Sequence, residues 1–596
     1  MQHAAAVGRA EVDRDRLRDR DRAEATGVER IDLAAGGRFG DGTGEGLTRS
    51  GARARVGVVA HAGDPRAGRL CAGLGCEHEQ QRDEHSEGER RASCAAERSD
   101  HGDDTTPERR SSATAGRALR SGAVVLRGAI APVLLGLLLC CAPGAIAAAP
   151  AVTGIRPALG GTALDHTLAC PGGVATVTAT VPPGSAVRLD GRRLGPGTHT
   201  VRVPLRPGQR FTLRFSGRRE RTHSVRCLPA DFPAWTTTRT AKPQVQWLVL
   251  SQFFPISGAY AIIADAHGTP VWWYRETRGR VMDAKVLPDR TVAWSASPLV
   301  AFGFGPHAHR TLGGRQLGDI RTAGIIADPH ETLQLPGDRY LITVYRPRDH
   351  VDLRAIGGPA DARALEGEIH EVTASGRLLW SWRTRSHITM SERSALSSRP
   401  TLLDGHTVYD LDHLNSIELD GPDHIVVSAR HLNALYRIRR STGTIDWKLG
   451  GAPTARSLRV VGDRLGAAPL DSAHDARVLA DGTVTVHDNG TMLGRPPRAV
   501  RYRIDRARRT ATLIEDVQDS RAPRSIAGGS ARRLRGGHWV MSWGASPLIT
   551  ELTPDGSPVL TLTLAGGTSY RAQPLEPGFL SAAELRAGMD RMHPRR

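Results

Sequence analysis

The chain has 596 residues, enough for two or three domains with sizeable cores, and a formal charge of +18. Residues 1–149 carry 22 basic and 22 acidic side chains, so the excess lies in residues 150–596, as 58 basic against 40 acidic. The arginines there are scattered through strand-like segments with no basic block. That spread argues against a nucleic-acid groove and suits an anionic small substrate, an anionic cell envelope or a plain basic surface.

Residues 1–115 show no sustained period of 3.6 or 2 and few apolar positions. Such a composition cannot offset chain entropy, so this stretch is expected to be disordered or to precede the true start of the protein. Cys71, Cys76 and Cys94 fall in it without zinc-like spacing and receive no role. Residues 116–149 read as a signal peptide. Arg117, Arg120 and Arg127 are its basic region, Ala129 to Cys141 its apolar run, and small residues near Ala147 to Ala149 offer a cleavage site. The run is shorter than the ~20 residues that a permanent membrane anchor needs. Leu139, where a small residue would be expected, speaks against lipid attachment at Cys140. The reading is export, with no membrane span after cleavage.

Residues 150–230 alternate in period 2 between Gly/Pro turns, as at Ala175–Val181, Ala186–Leu189, His199–Val203 and Phe211–Phe215. A small β-sandwich is predicted, closed by a disulfide between Cys170 and Cys227, the two cysteines downstream of the export signal. From residue 231 onward the pattern becomes a repeat. One half-unit occurs at Met282–Leu287, His330–Leu335, His413–Leu419, His474–Leu479 and Gly529–Leu534, with Gln244–Gln252 as a first copy. The other is a hairpin often ending near tryptophan, at Tyr260–Trp273, Ile369–Trp382, Ala434–Trp447, Ala499–Ile514 and Pro547–Leu562, with a degenerate copy near Leu312–Ile320. Six pairs of hairpins predict an all-β protein whose residues 231–596 form a six-bladed β-propeller with a short C-terminal tail. Spacings of 48, 83, 61 and 55 residues between first half-units imply insertions, notably Pro347–Glu366 and Thr384–Tyr409. Ser581–Arg591 reads as a short helix.

His330, His413 and His474 hold one position in three copies of the repeat, where Met282 and Gly529 stand in two others. Equivalent positions in successive blades lie at equal height and radius, so the three are expected to meet at one channel mouth. Arg430 ends the strand after His413 and can return to the same face. Together His413, Arg430 and His474 suit the holding and attack of a compact oxyanion. Each histidine could instead simply brace its own blade. Bracing leaves unexplained both the replacements at this position and the neighbours Asp328, Glu331, Asp412, Asn415 and Asp475. Three imidazoles also suit catalytic zinc, but an adjacent Arg430 opposes a cation, and no metal is expected. His307 and His309 are expected to stand apart from the site. Tyr345, Trp543 and Phe304 are candidate contacts for an aromatic ligand, although each is more often a core residue.

The stretches Asp412–Ile417, Ser428–Asn433, Ala473–Asp475 and, less specifically, Asp328–Glu331 resemble those of the bacterial arylsulfotransferases that work without a nucleotide sulfate donor. The resemblance spans roughly residues 151–565. It implies a secreted aryl sulfate:phenol sulfotransferase that passes a sulfuryl group through a sulfohistidine. His474 would be the nucleophile, His413 and Arg430 would bind the sulfuryl oxygens, and His330 would bind them or handle the phenolic proton. Asn415 and Asn433 in the same motifs are assigned to substrate binding, and Asp475 or another carboxylate to orienting an imidazole. The implied partners are an aryl sulfate donor and a phenolic acceptor, with no cofactor. Two alternatives use the same residues: a non-catalytic propeller binding an anionic ligand or envelope partner, and a metal-dependent hydrolase or lyase.

Overall fold

A computed structural model of the protein describes residues 149–216, 220–252, 257–297, 305–322 and 324–595. The segments read as residues 1–115 and the signal peptide, and with them Cys140 and Phe304, lie outside the described residues, apart from Ala149 itself. The described chain is dominated by strands, and no helix in it is long and apolar enough to cross a membrane.

The first unit of the described chain holds two sheets. Ala151–Thr153, Val174–Val181 and Gly197–Pro204 form one, antiparallel throughout. Asp165–Ala169, Arg221–Leu228, Arg210–Ser216, Ala186–Leu189 and Arg192–Leu194 form the other, parallel only between its first two strands. Period-2 alternation drives both. Along Val174–Val181 the residues Ala175, Val177, Ala179 and Val181 turn inward and the threonines outward. Their buried faces share one cluster with Val187, Phe211, Leu213 and Val225. Cys170 and Cys227 are bonded, with Cα atoms 5.9 Å apart and a sequence separation of 57 residues. Closing a loop of that length removes chain entropy worth about 4 kcal/mol in the simplest treatment. Replacing both cysteines by serine is therefore expected to lower the denaturant midpoint of this unit by the equivalent of roughly 2–4 kcal/mol. An unchanged midpoint would show that the bridge is not a stabilising element.

The remainder of the described chain is built from six sheets, each with four antiparallel strands at its core, and three of them carry one or two further strands. Arg280–Val286, Val292–Ser297, His307–Arg310 and Gln316–Ile320 make one of them. Leu414–Leu419, His424–Ala429, Ala434–Arg439 and Ile445–Gly450 make another. Three more begin at Ile326–Leu335, His474–Val478 and Ser530–Arg533. The sheet of Trp247–Gln252, Ala259–Asp265 and Pro270–Glu276 receives its fourth strand, Ser569–Pro574, from the far end of the chain. The five hairpins predicted from Tyr260–Trp273 to Pro547–Leu562 appear in these sheets. The degenerate copy at Leu312–Ile320 covers only the turn and second strand of the hairpin His307–Arg310/Gln316–Ile320, and Gln244–Gln252 supplies a single strand. Ser569–Pro574, without apolar alternation, was not predicted. The strands at one edge of the six sheets touch in a cycle. It runs from 280–286 to 326–335, 414–419, 474–478, 530–533 and 569–574, and back to 280–286.

The two predicted insertions belong to one sheet. Arg339–Val351 and Ala362–Thr373 run beyond their neighbours, and the hairpin Pro400–Leu403/His406–Asp410 adds in parallel to the extension. Near the C-terminus Ala582–Met592 is helical. Ser581 caps it by accepting from Glu584 N, and Leu585 and Met589 bury against Trp272 and Trp273.

Candidate functional site

The cycle of edge strands brings together the three histidines expected to meet. The His413 ring lies 4.5 Å from that of His330 and 6.1 Å from that of His474, centroid to centroid, and all three are buried. Each sits at a break in strand regularity, because the register slips within 327–332, 414–416 and 474–477. His413 itself has a left-handed φ of 49°. Such breaks turn a side chain out of the pleat and toward the centre.

Each imidazole is held through Nδ1. In His330 it meets the Asp328 carboxylate, which also accepts the His330 backbone N–H at 2.8 Å. In His413 it meets Asp410 Oδ2 at 2.5 Å, an oxygen that also accepts from the Tyr345 hydroxyl at 2.9 Å. His474 is held differently. Its Nδ1 lies 3.1 Å from Ser472 O and 3.0 Å from Asn489 Nδ2. The Asn489 amide places its two hydrogens on Ser472 O and Gly528 O, so His474 Nδ1 keeps its own hydrogen and donates it to Ser472 O. The tautomer that results leaves the lone pair on Nε2. Burial, followed by the charges of Arg430, His413 and His330, holds the His474 pKa well below the usual histidine range. It is a neutral imidazole at physiological pH. His413 is pushed down as well, by burial and then by His330 and Arg430.

Arg430 begins a short 3-10 turn, Arg430–Leu432, directly after His424–Ala429. Its Nη1 donates to His431 Nε2 at 2.8 Å and its Nη2 to Ile526 O at 2.9 Å. The buried Nε–H has no protein acceptor. His431 in turn donates Nδ1–H to Asp410 O at 2.6 Å and stacks on His413 at 4.7 Å. Asp410, His413 and His431 bring possible ligand atoms within 4.8 Å of one another. A metal ion there would have to displace Arg430 from His431 Nε2 and would sit beside a guanidinium, so the set fits an anion better than a cation.

The remaining expected residues have other partners. Asn415 donates to Ala473 O at 2.8 Å and accepts from Asp475 N, while Asn433 accepts from Ser472 N at 2.8 Å. With Ser416 on Ala476 N and Ser428 on Ala473 O, these side chains stitch the segment carrying His474 to its neighbouring sheet. Asp475 does not orient an imidazole. It points away from the histidines to Arg477 and Arg532, each at 2.7 Å, because alternate residues of a strand face opposite ways. Glu331 joins the same buried network through Arg477 at 2.6 Å and Arg571 at 3.0 Å, and Asp412 pairs with Arg393 at 2.9 Å. Bracing does therefore account for most of the polar neighbours that the sequence left unexplained. His307 lies between Thr332 Oγ1 and Asp328 O, His309 meets Thr291, and Trp543 is a core residue bonded to Thr550; none joins the histidine cluster. Tyr345 does stand at the site.

Sequence reasoning missed Asp410, His431, Asn489 and Tyr570, whose ring is 5.8 Å from that of His330. Asp410 left a signal as an acid just upstream of a histidine, like Asp328 before His330, and His431 lay inside the stretch Ser428–Asn433 without being singled out. Replacing Asn415 by alanine is expected to cost roughly 2–4 kcal/mol of stability and to lower activity with it, since two buried backbone groups lose partners. A melting temperature equal to that of the parent would argue against the stitching role.

Site and fold together define an all-β protein with three clustered imidazoles and a buried guanidinium beside them. Residues 313–565 match the family model Arylsulfotransferase (ASST), and His330, His413, Arg430 and His474 all lie inside the matched stretch. No match is found among the curated proteins. Similar solved structures include a protein of unknown function from Bacteroides caccae, 13% identical with a TM-score of 0.35, covering 56% of this chain and 100% of that one. The Dos1 propeller is 11% identical with a TM-score of 0.27, covering 57% and 75%. The Myceliophteria thermophila Cps50 (Swd1) beta-propeller domain is 10% identical with a TM-score of 0.30, covering 57% and 89%. Similarity this low carries no argument about function.

Proposed function

We propose that the protein is an exported aryl sulfate:phenol sulfotransferase that works by ping-pong transfer through a sulfohistidine at His474, without a nucleotide donor. Its six sheets, each with four antiparallel strands at its core, are read as the blades of a propeller, and its first unit as a β-sandwich. Export agrees with the Cys170–Cys227 disulfide.

His474 Nε2 attacks the sulfur of the donor ester as the S–O bond to the aryl oxygen breaks, and that oxygen leaves with the bonding pair as a phenolate. An acceptor phenol then attacks the sulfohistidine, the S–N bond breaks, and the proton of the acceptor hydroxyl passes to His330 backed by Asp328. Arg430 and His413 bind the sulfuryl oxygens, where charge is concentrated during transfer. Arrival of the anion favours the imidazolium form of His413, with Asp410 behind its Nδ1–H. Asn415 and Asn433 act by fixing the backbone beside His474.

The observation that carries this reading is the pairing of a neutral His474, its Nε2 lone pair available, with a buried cationic donor, Arg430 Nε–H, that has no protein acceptor. The test is nitrophenolate release from a nitrophenyl sulfate by the exported protein, with and without added phenol, in the presence of chelator. Release that depends on phenol and survives chelation supports transfer. Donor binding with no release from any of a panel of phenols would indicate an anion-binding protein, and activity restored only by zinc a metalloenzyme.

A further inference from the structure

The histidine cluster is polar and buried, and exposed apolar side chains stand on segments tied to it. Among the described residues the three most exposed large hydrophobic side chains are Leu402, Leu493 and Ile526, at 60%, 59% and 58%. Single exposed leucines are ordinary on a protein surface. These three are set apart by position, since each stands on a segment hydrogen-bonded to the histidine cluster.

Leu402 lies on the inserted hairpin Pro400–Leu403/His406–Asp410, opposite Thr407, and that hairpin ends at Asp410, which holds His413. Leu493 lies four residues beyond Asn489, and its backbone N–H and that of Met492 are bound by Asp471 Oδ2 at 2.9 and 2.7 Å. Ile526 gives its carbonyl to Arg430, and its neighbour Ser525 bonds both Asn489 and Thr491. The segments carrying Leu493 and Ile526 are thus tied to each other and to the site, so their side chains are presented on fixed backbone.

We propose that Leu402, Leu493 and Ile526 form an apolar collar that selects phenols with an extended apolar body, such as fused-ring or para-alkyl phenols. This rests on the sulfuryl-transfer reading of the site. A ligand with an oxyanion or hydroxyl at the histidines and an apolar body pointing outward matches a polar cluster with exposed apolar side chains on the segments tied to it. Length sets the class. Thr407 is three strand residues from Asp410, which places Leu402 about 10 Å along the hairpin from the carboxylate that holds His413. A single unsubstituted ring held at the histidines stops short of that distance, whereas a second ring or an alkyl chain in the para position reaches it.

The experiment compares the full chain with its L402S/L493S/I526S variant, using phenol and 4-butylphenol as acceptors and 2-naphthol as a fluorescent ligand whose binding needs no turnover. The ratio of kcat/KM for 4-butylphenol to that for phenol is expected to fall about tenfold, chiefly through KM, and 2-naphthol binding to weaken by a similar factor. Leu378→Ser, an exposed leucine on the outer strand Leu378–Arg383, should leave the ratio unchanged. A ratio and a naphthol affinity that do not move in the triple variant overturn the collar. If no acceptor is ever sulfated but 2-naphthol binding still weakens in the variant, the transfer reading falls and the collar stands.

Discussion

His474→Asn is expected to abolish sulfuryl transfer, lowering kcat by roughly four orders of magnitude or more. The amide can keep the bond to Ser472 O that the imidazole makes through Nδ1, so the fold and the neighbouring Asn489 contacts should persist. What disappears is the Nε2 lone pair. Arg430→Gln removes charge at the sulfuryl oxygens while leaving the nucleophile, and is expected to lower kcat by about 10²–10³-fold, the scale for loss of one positioned donor. The two variants should also differ in what accumulates. Donor alone should leave a sulfate on His474 of the parent and, slowly, of Arg430→Gln, but on no residue of His474→Asn. Turnover in His474→Asn within tenfold of the parent would dismiss the mechanism. A sulfate mapped to His413 instead would move the nucleophile by one sheet while keeping the reaction.

What the sequence disclosed depended on how local the determining interaction is. Val174–Val181 could be read because its alternation reports burial directly, and hairpins such as 434–450 because turn residues separate two apolar runs. The histidines could be read because a repeat converts sequence register into spatial register. Ser569–Pro574 escaped for the opposite reason. Its partner is Trp247–Gln252, more than 300 residues away, and its Tyr570 and Arg571 face a buried polar centre, so no apolar period marks it. Asp410 and His431 escaped because an insertion and a 3-10 turn, not the repeat, bring them to His413. Asn415 and Asn433 illustrate a further limit, since a motif marks that a residue matters near the site without distinguishing contact with substrate from support of the backbone beside it.

Acid is expected to unfold the protein well before its carboxylates are all protonated. Burial pushes His307 down to about 4, His487 to about 4 and His431 to about 3. In the unfolded chain each titrates near 6.5. Because the folded-state values are depressed, unfolded chains take up protons that folded ones refuse. The stability contribution is intact above about pH 6.5 and is lost as pH falls toward the folded values. Three such groups give a slope of about 4 kcal/mol per pH unit, so two units consume roughly 8 kcal/mol, comparable to the whole stability of a typical domain. Asp328 and Asp412, raised by burial, work in the opposite direction and offset part of this. Denaturant midpoints measured from pH 7.5 to 5 should therefore fall steeply below pH 6.5, and a flat profile would contradict the burial of these imidazoles. The three are not equivalent. His307 and His431 accept or donate as neutral rings, and both nitrogens of His487 are buried without a partner over Gly529. His431 matters most for function, because a proton on its Nε2 would set a cation against Arg430 Nη1 at 2.8 Å. Activity should consequently fall with, or just ahead of, the unfolding transition, and His431→Gln, which can still accept from Arg430, should move both toward lower pH.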